Sequence, residues 1–182
     1  AIQPSVKKEP GYEPLKDFKP VGLMLRSPFL MMVGADQPDK SAAEYAARVK
    51  ANPGKIAYAS AGVGTTTHFA AAIYAQQAGL HLQQVPYKGS GAAYTDVASG
   101  RVSMMFTAYT SALPFLQSGK MRPLGVSATA RLPALPNVPT LAEQGAPGYS
   151  YYVWYGLLAP AGTPDDVIRK LSDALKSAQA AK

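Results

Sequence analysis

The sequence predicts an α/β protein: a mainly parallel sheet with flanking helices. Three observations carry the α/β core. From Lys55 to Ser127, short apolar runs of strand length alternate with segments of helix length. Glycines punctuate the switches at Gly79, Gly100 and Gly119. The connections are only a few residues long, and strand–helix–strand units joined in this way form right-handed parallel crossovers.

The elements follow in order. Residues 1–20 hold Pro4, Pro10, Gly11, Pro14 and Pro20, which implies an irregular surface segment. Two short strands are expected at 21–25 and 29–33, split by Pro28. Ser41, with Glu44 three residues on, has the spacing of a capping box, so a helix should run to about Lys50 and stop at Pro53 and Gly54. A strand at 56–60 leads through a glycine-containing loop to a helix at 66–78, where Phe69 and Ile73 share a face and Gly79 closes the end. Strand 80–87, helix 92–99, strand 102–107, helix 110–118 and strand 122–127 complete the alternation. Pro133, Pro136, Pro139 and Pro147 then interrupt the chain, leaving one short helix near 141–144. An aromatic extended run covers 149–158. A last helix begins after Thr163 as N-cap and Pro164 at its first position, with Asp165 and Asp166 in the first turn and Val167, Leu171 and Leu175 on one face.

Composition narrows the function. The 182 residues are 47% hydrophobic and 16% charged, which is globular rather than disordered. There is no cysteine, and His68 and His81 are the only histidines, so no disulfide, thiol nucleophile, metal site or cofactor is expected. No apolar run is long enough to span a membrane. No leader segment is visible at Ala1, from which the sequence reads as a processed or partial chain. The net charge of +7 is concentrated: residues 45–142 hold eight basic side chains and one acid, Asp96. Such a segment attracts anions. The basic residues are scattered singly and no nucleic-acid-binding pattern is present, so a small anion is the expected partner and nucleic acid is not.

The anion should sit where the strands end. Ser60, Gly62, Val63, Gly64, Thr65, Thr66, Thr67 and His68 cover a strand end, a flexible turn and a helix start. Unpaired amides at a helix N-terminus, together with its dipole, favour an anion, and glycine allows close backbone approach. Tyr87, Lys88, Gly89 and Ser90 follow the next strand, and Thr107 and Tyr109 the third. Parallel strands place all three ends on one edge, where ligands of open α/β sheets bind. Nucleotide motifs fail: the third glycine of a dinucleotide fingerprint is replaced by Thr67, and no Gly-Lys pair is followed by Ser or Thr. Catalysis finds no acid–base pair on this rim, since Asp96 falls within a helix away from the loops and His68 stands alone. No catalytic residue is expected.

At these residues the chain resembles a known family. The segments at 51–55 (ANPGK), 60–68, 85–89 (VPYKG), 128–139 (ATARLPALPNVP) and 156–164 (GLLAPAGTP) recur in that order, and 12–21 (YEPLKDFKPV) fits as well. They look like the Bug family, the extracytoplasmic substrate-binding proteins of tripartite tricarboxylate transporters. The resemblance implies a two-lobed periplasmic receptor that closes on a small organic carboxylate and delivers it to membrane components of the transporter. It maps the family's second-lobe site onto residues 60–68 and the rims at 87–90 and 107–109. Residues 35–148 would be that lobe, with 1–34 and 149–182 as remnants of the first lobe and the hinge. The family's opening hundred or so residues and its C-terminal tail would then be missing. Members often carry an Asp where this chain has Thr107, which points away from an amino-acid ligand. Two other classes stay open: an effector-sensing domain of a transcription regulator, favoured by a helix-turn-helix upstream, and a small α/β enzyme acting on an anion, favoured by turnover that needs His68. A lobe so truncated should expose Leu23, Leu30, Met31, Tyr151, Tyr152, Trp154 and Tyr155, and should self-associate.

Overall fold

A computed structural model describes residues 11–181. They form two compact units: one of residues 11–26 and 154–181, the other of Ser27–Val153. The division falls inside two long strands, β1 (Phe18–Gly34) and β6 (Tyr152–Pro160). Residues 1–10, half of the segment expected to be irregular, lie outside the described residues. The other half is ordered, as a four-residue helix α1 (Pro14–Asp17) and the start of β1.

The larger unit holds β2 (Ala57–Ser60), β3 (Gln83–Pro86), β4 (Met104–Ala108) and β5 (Met121–Val126). The sheet order is β3-β2-β4-β1-β5. β2 runs parallel to β3 and to β4, as the alternating pattern requires. The exception is β1, which lies antiparallel between β4 and β5, pairing Leu30 with Thr107 on one side and with Val126 on the other. As a central strand it is covered on both faces, which accounts for its unbroken apolar run from Phe29 to Val33. Phe29, Met31 and Val33 face one core with Tyr45, Tyr74, Phe106 and Tyr149, while Leu30 and Met32 face the other with Val97, Met105 and Val126.

The two short strands expected at 21–33 are therefore one continuous strand. Pro28 does not break it, because the pairing with β4 and β5 begins only at Phe29 and the missing N–H falls outside that ladder. Leu30 and Met31 are fully buried, and Tyr151 and Tyr152 are half-buried against the cores, so these four do not belong to an exposed patch.

Helices cover both faces. α2 (Ala42–Ala51) and α3 (Thr66–Ala78) contribute Tyr45, Val49, Ala70, Ala71 and Tyr74 to the first core, and α4 (Ser90–Ala98) and α5 (Tyr109–Gln117) contribute Ala93, Val97 and Ala112 to the second. Ser41 caps α2, its hydroxyl accepting the Glu44 amide at 3.1 Å. Gly79 ends α3 at φ 64°, and the Leu80 amide folds back to Ala75 O at 2.8 Å. That bond holds Leu80 at the helix end, so β3 starts at Gln83 rather than at 80. A short 3₁₀ turn (Ala142–Gln144) follows the proline-rich stretch.

In the smaller unit β6 pairs with β1, and α6 (Asp165–Ala180) carries the last amphipathic face. The helix starts one residue later than expected. The Thr163 amide closes a turn onto Pro160 O at 3.0 Å, which leaves Pro164 in the capping position and Asp165 and Asp166 in the first turn. Lys19 bonds Asp165 at 2.8 Å, and Gln179 Nε2 donates to Leu23 O and Met24 O. Leu23, Met24, Leu25, Trp154, Tyr155, Leu157 and Leu158 remain exposed.

Candidate functional site

β2, β3 and β4 end together on one sheet edge, at Ser60, Pro86 and Ala108. The β2–α3 loop at this edge is held by its own side chains. Thr65 is the N-cap of α3: its hydroxyl accepts the His68 amide and donates to Gly62 O at 2.7 Å. Thr67 Oγ1 accepts the Ala61 amide at 2.9 Å. The Gly64 amide donates to His68 Nδ1 at 3.2 Å, so Nδ1 is the acceptor and a neutral imidazole carries its proton on Nε2. Gly62 (φ 131°) and Gly64 (φ 76°) occupy backbone conformations that L side chains rarely adopt. Ser60 is buried, and its hydroxyl accepts from Gln84 Nε2 at 2.7 Å.

The β3–α4 loop packs against this one. The Tyr87 amide donates to Ser60 O at 2.9 Å and the Gly89 amide to Ala61 O at 3.2 Å. A Cβ on Gly62 would stand 3.3 Å from Tyr87 O. The structure thus joins Ser60, Gly62, Gly64, Thr65, Thr67, His68, Tyr87 and Gly89 in one hydrogen-bonded assembly.

Several expected donors turn out to be engaged within it. The Gly64 and Gly89 amides and the Thr65 hydroxyl already have partners, and Ser60 does not reach the surface. The expected donors outside these bonds include the first amides of α3 at Thr66 and Thr67, which have no intrahelical partner, with the Thr66 hydroxyl, the Ser90 hydroxyl and the exposed Lys88 ammonium. Val63 projects a 72% exposed apolar side chain beside them.

The third strand end lies beside β2 and has its own partners. Thr107 is buried and its hydroxyl bonds the Tyr94 hydroxyl, while Tyr109 opens α5. Burial raises the Tyr94 phenol pKa, and bonds to Thr107 and Ser111 pull against that shift. Tyr94 also stacks on Phe115 at 4.2 Å between centroids.

Two side chains prove to be structural partners of the site: Gln84, which the sequence did not single out, and Asp96. Asp96 was expected to lie away from the loops. Instead its Oδ2 accepts the Tyr87 hydroxyl at 2.7 Å, and its Oδ1 accepts from Arg101 at 3.1 Å. Desolvation and the adjoining carboxylate push the Tyr87 phenol up to about 12. Tyr87 therefore directs its hydroxyl at Asp96.

A cavity of about 420 Å³ lies elsewhere, lined by Asp36, Tyr94, Thr95, Phe115 and Lys120 among others. Its Ala35–Lys120 wall adjoins the end of β1 at Gly34, opposite the strand ends described above. Among the described residues no group of three or more His, Cys, Asp or Glu gathers to hold a metal ion, and no helix is long and apolar enough to cross a membrane.

A mainly parallel sheet between two helical layers, with polar loops gathered at one edge, defines the class: an α/β ligand-binding domain. The chain belongs to the tripartite tricarboxylate transporter family of receptors, whose family model matches residues 1–182. Members are periplasmic solute-binding proteins, the Bug proteins among them. A Pseudomonas sp. (strain P51) protein from the tcbD–tcbE intergenic region is 40% identical over 171 residues, covering 93% of this chain and 51% of its own. R. palustris Rpa4515, solved with adipate, is similar at a TM-score of 0.87 and 34% identity, over 93% of this chain and 57% of its own. MatC (Rpa3494) from Rhodopseudomonas palustris, solved with bound malate, has a TM-score of 0.83 and 32% identity, over 95% of this chain and 58% of its own. The chain spans about half the length of the curated relatives it matches.

Proposed function

We propose that this chain supplies a ligand-binding lobe, Ser27–Val153, of an extracytoplasmic receptor. The receptor captures a small organic carboxylate in the periplasm and delivers it to the membrane components of a tripartite tricarboxylate-type transporter. Residues 11–26 and 154–181 belong to the hinge and to the other lobe. The observation that carries this is the start of α3. Its free first amides, the Thr66 hydroxyl and the nearby Lys88 loop offer donors and positive potential, with no acid among residues 60–68, 86–91 or 107–112. Two relatives solved with adipate and malate support the carboxylate class. The one imidazole beside them, His68, already spends its Nδ1 on the Gly64 amide, so the rim offers donors rather than a free base, and the lobe acts as a receptor that binds an anion without transforming it. Where an acid could hold a ligand's ammonium, this chain has Thr107, buried and bonded to Tyr94, so the preferred ligand lacks an amino group.

Calorimetric titration of the 182-residue chain with adipate and malate tests this, with adipamide and 2-aminoadipate alongside. Adipate or malate should bind, weakly because one lobe encloses only half a ligand, and both comparison compounds should bind less well. Equal binding of the uncharged adipamide would refute the anion site. Tighter binding of 2-aminoadipate would refute the ligand class.

A further inference from the structure

We propose that Asp96 is a positioning residue for the ligand rim: its carboxylate takes the Tyr87 hydroxyl and so fixes the loop that carries Lys88. Only Tyr87, Lys88 and Gly89 lie between β3 and α4, and Gly89 sits at φ 105°, a conformation open to glycine and rarely adopted by L side chains. Two bonds tie this loop sideways to the β2–α3 loop, through the Tyr87 and Gly89 amides. The third tie, from the Tyr87 hydroxyl to Asp96 at 2.7 Å, runs to the last turn of α4. That helix packs Ala93 and Val97 into the second core, so the anchor is rigid.

The carboxylate's location supports a specific role. Asp96 is the single acid between residues 45 and 142, and it lies at the end of α4 where the helix dipole disfavours negative charge. Arg101 compensates at 3.1 Å, but its side chain is largely solvent-exposed, so the pair contributes little by itself. The well-formed bond is the one to Tyr87. Because the two loops share backbone bonds and Gly62 passes close to Tyr87 O, releasing Tyr87 would shift both sets of donors. Asp96 acts through Tyr87.

The meaning for binding rests on the receptor function proposed above, and the test separates the two. Asp96→Ala, Asp96→Asn and Tyr87→Phe are compared in the full chain. Amide hydrogen exchange at Gly89 reads the loop without any ligand, and adipate titration reads the rim. Exchange at Gly89 should speed up about tenfold in Asp96→Ala and Tyr87→Phe, and adipate affinity should fall by a similar factor. Asp96→Asn keeps an acceptor and should rescue both readouts, while bringing the Tyr87 phenol down from about 12 in an absorbance titration. Wild-type exchange at Gly89 in both Asp96→Ala and Tyr87→Phe would overturn the proposal, as would failure of Asp96→Asn to rescue. If the unaltered chain binds neither adipate nor malate, the receptor function fails, and the exchange data still decide the anchor.

Discussion

Replacing Gly64 with valine tests the geometry of the β2–α3 loop most directly. Gly64 adopts φ 76°, and its amide reaches His68 Nδ1 at 3.2 Å. An L side chain in the left-handed region costs about 1–2 kcal/mol, with β-branched residues at the upper end. The loop has two responses. It can keep its shape and lose that stability, or relax to negative φ and give up the Gly64–His68 bond. In the second case a ligand must restore the original shape on binding, and about 1–2 kcal/mol becomes a loss of about 5- to 30-fold in affinity.

Urea unfolding and adipate calorimetry on the same samples report both routes. Gly64→Asn separates backbone from bulk, because asparagine tolerates left-handed φ far better than valine. It should retain most of both stability and affinity. Wild-type stability together with wild-type affinity in Gly64→Val would refute the role given to this backbone position.

Two further outcomes follow from other parts of the molecule. Arg131, then the Thr140 amide at 2.6 Å, hold the Glu143 carboxyl below its usual range. A depressed folded-state pKa adds stability that is complete above the unfolded value and lost as pH falls through the folded one. Acid below about pH 4.5 should therefore weaken the wild type more than Glu143→Gln, and superimposable pH profiles from urea unfolding would count against it. The chain should also self-associate through the β1–β6 ribbon, where Leu25 is 49% and Trp154 52% exposed. Sedimentation velocity at micromolar concentration should show oligomers that Leu25→Ser with Trp154→Ser reduces to monomer, and a monomeric wild type would disprove it.

The parts of the fold legible in the sequence are those with a local cause. Ser41 with Glu44, and Gly79 after a run of helix formers, place the ends of α2 and α3 because capping is decided within one turn of chain. The alternation from 55 to 127 is legible for the same reason. The insertion of β1 between β4 and β5 is not. An apolar run such as Phe29 to Val33 reports burial on both faces but says nothing about which strands flank it or in which direction. Pro28 misled for a related reason. A proline interrupts a strand only where its N–H is needed, and that depends on partners far away in sequence.

The site shows the same limit at the scale of single atoms. Residue types and spacing locate the strand ends and the helix start, since these are local features. They do not reveal where each hydroxyl and amide points. Thr65 and Thr67 turn inward to Gly62 O and the Ala61 amide, and Gly64 serves His68, so much of the apparent donor inventory maintains the shape of the loop. The Tyr87–Asp96 bond was hidden because it joins a loop to the far end of the next helix. Fewer donors are therefore unengaged than the sequence offers. The ones on which the proposed function rests, the first amides of α3 with Thr66, Ser90 and Lys88, stand on a framework already hydrogen-bonded in place. Donors held in advance lose less freedom on binding, so this smaller set favours tighter capture than a larger, mobile one would.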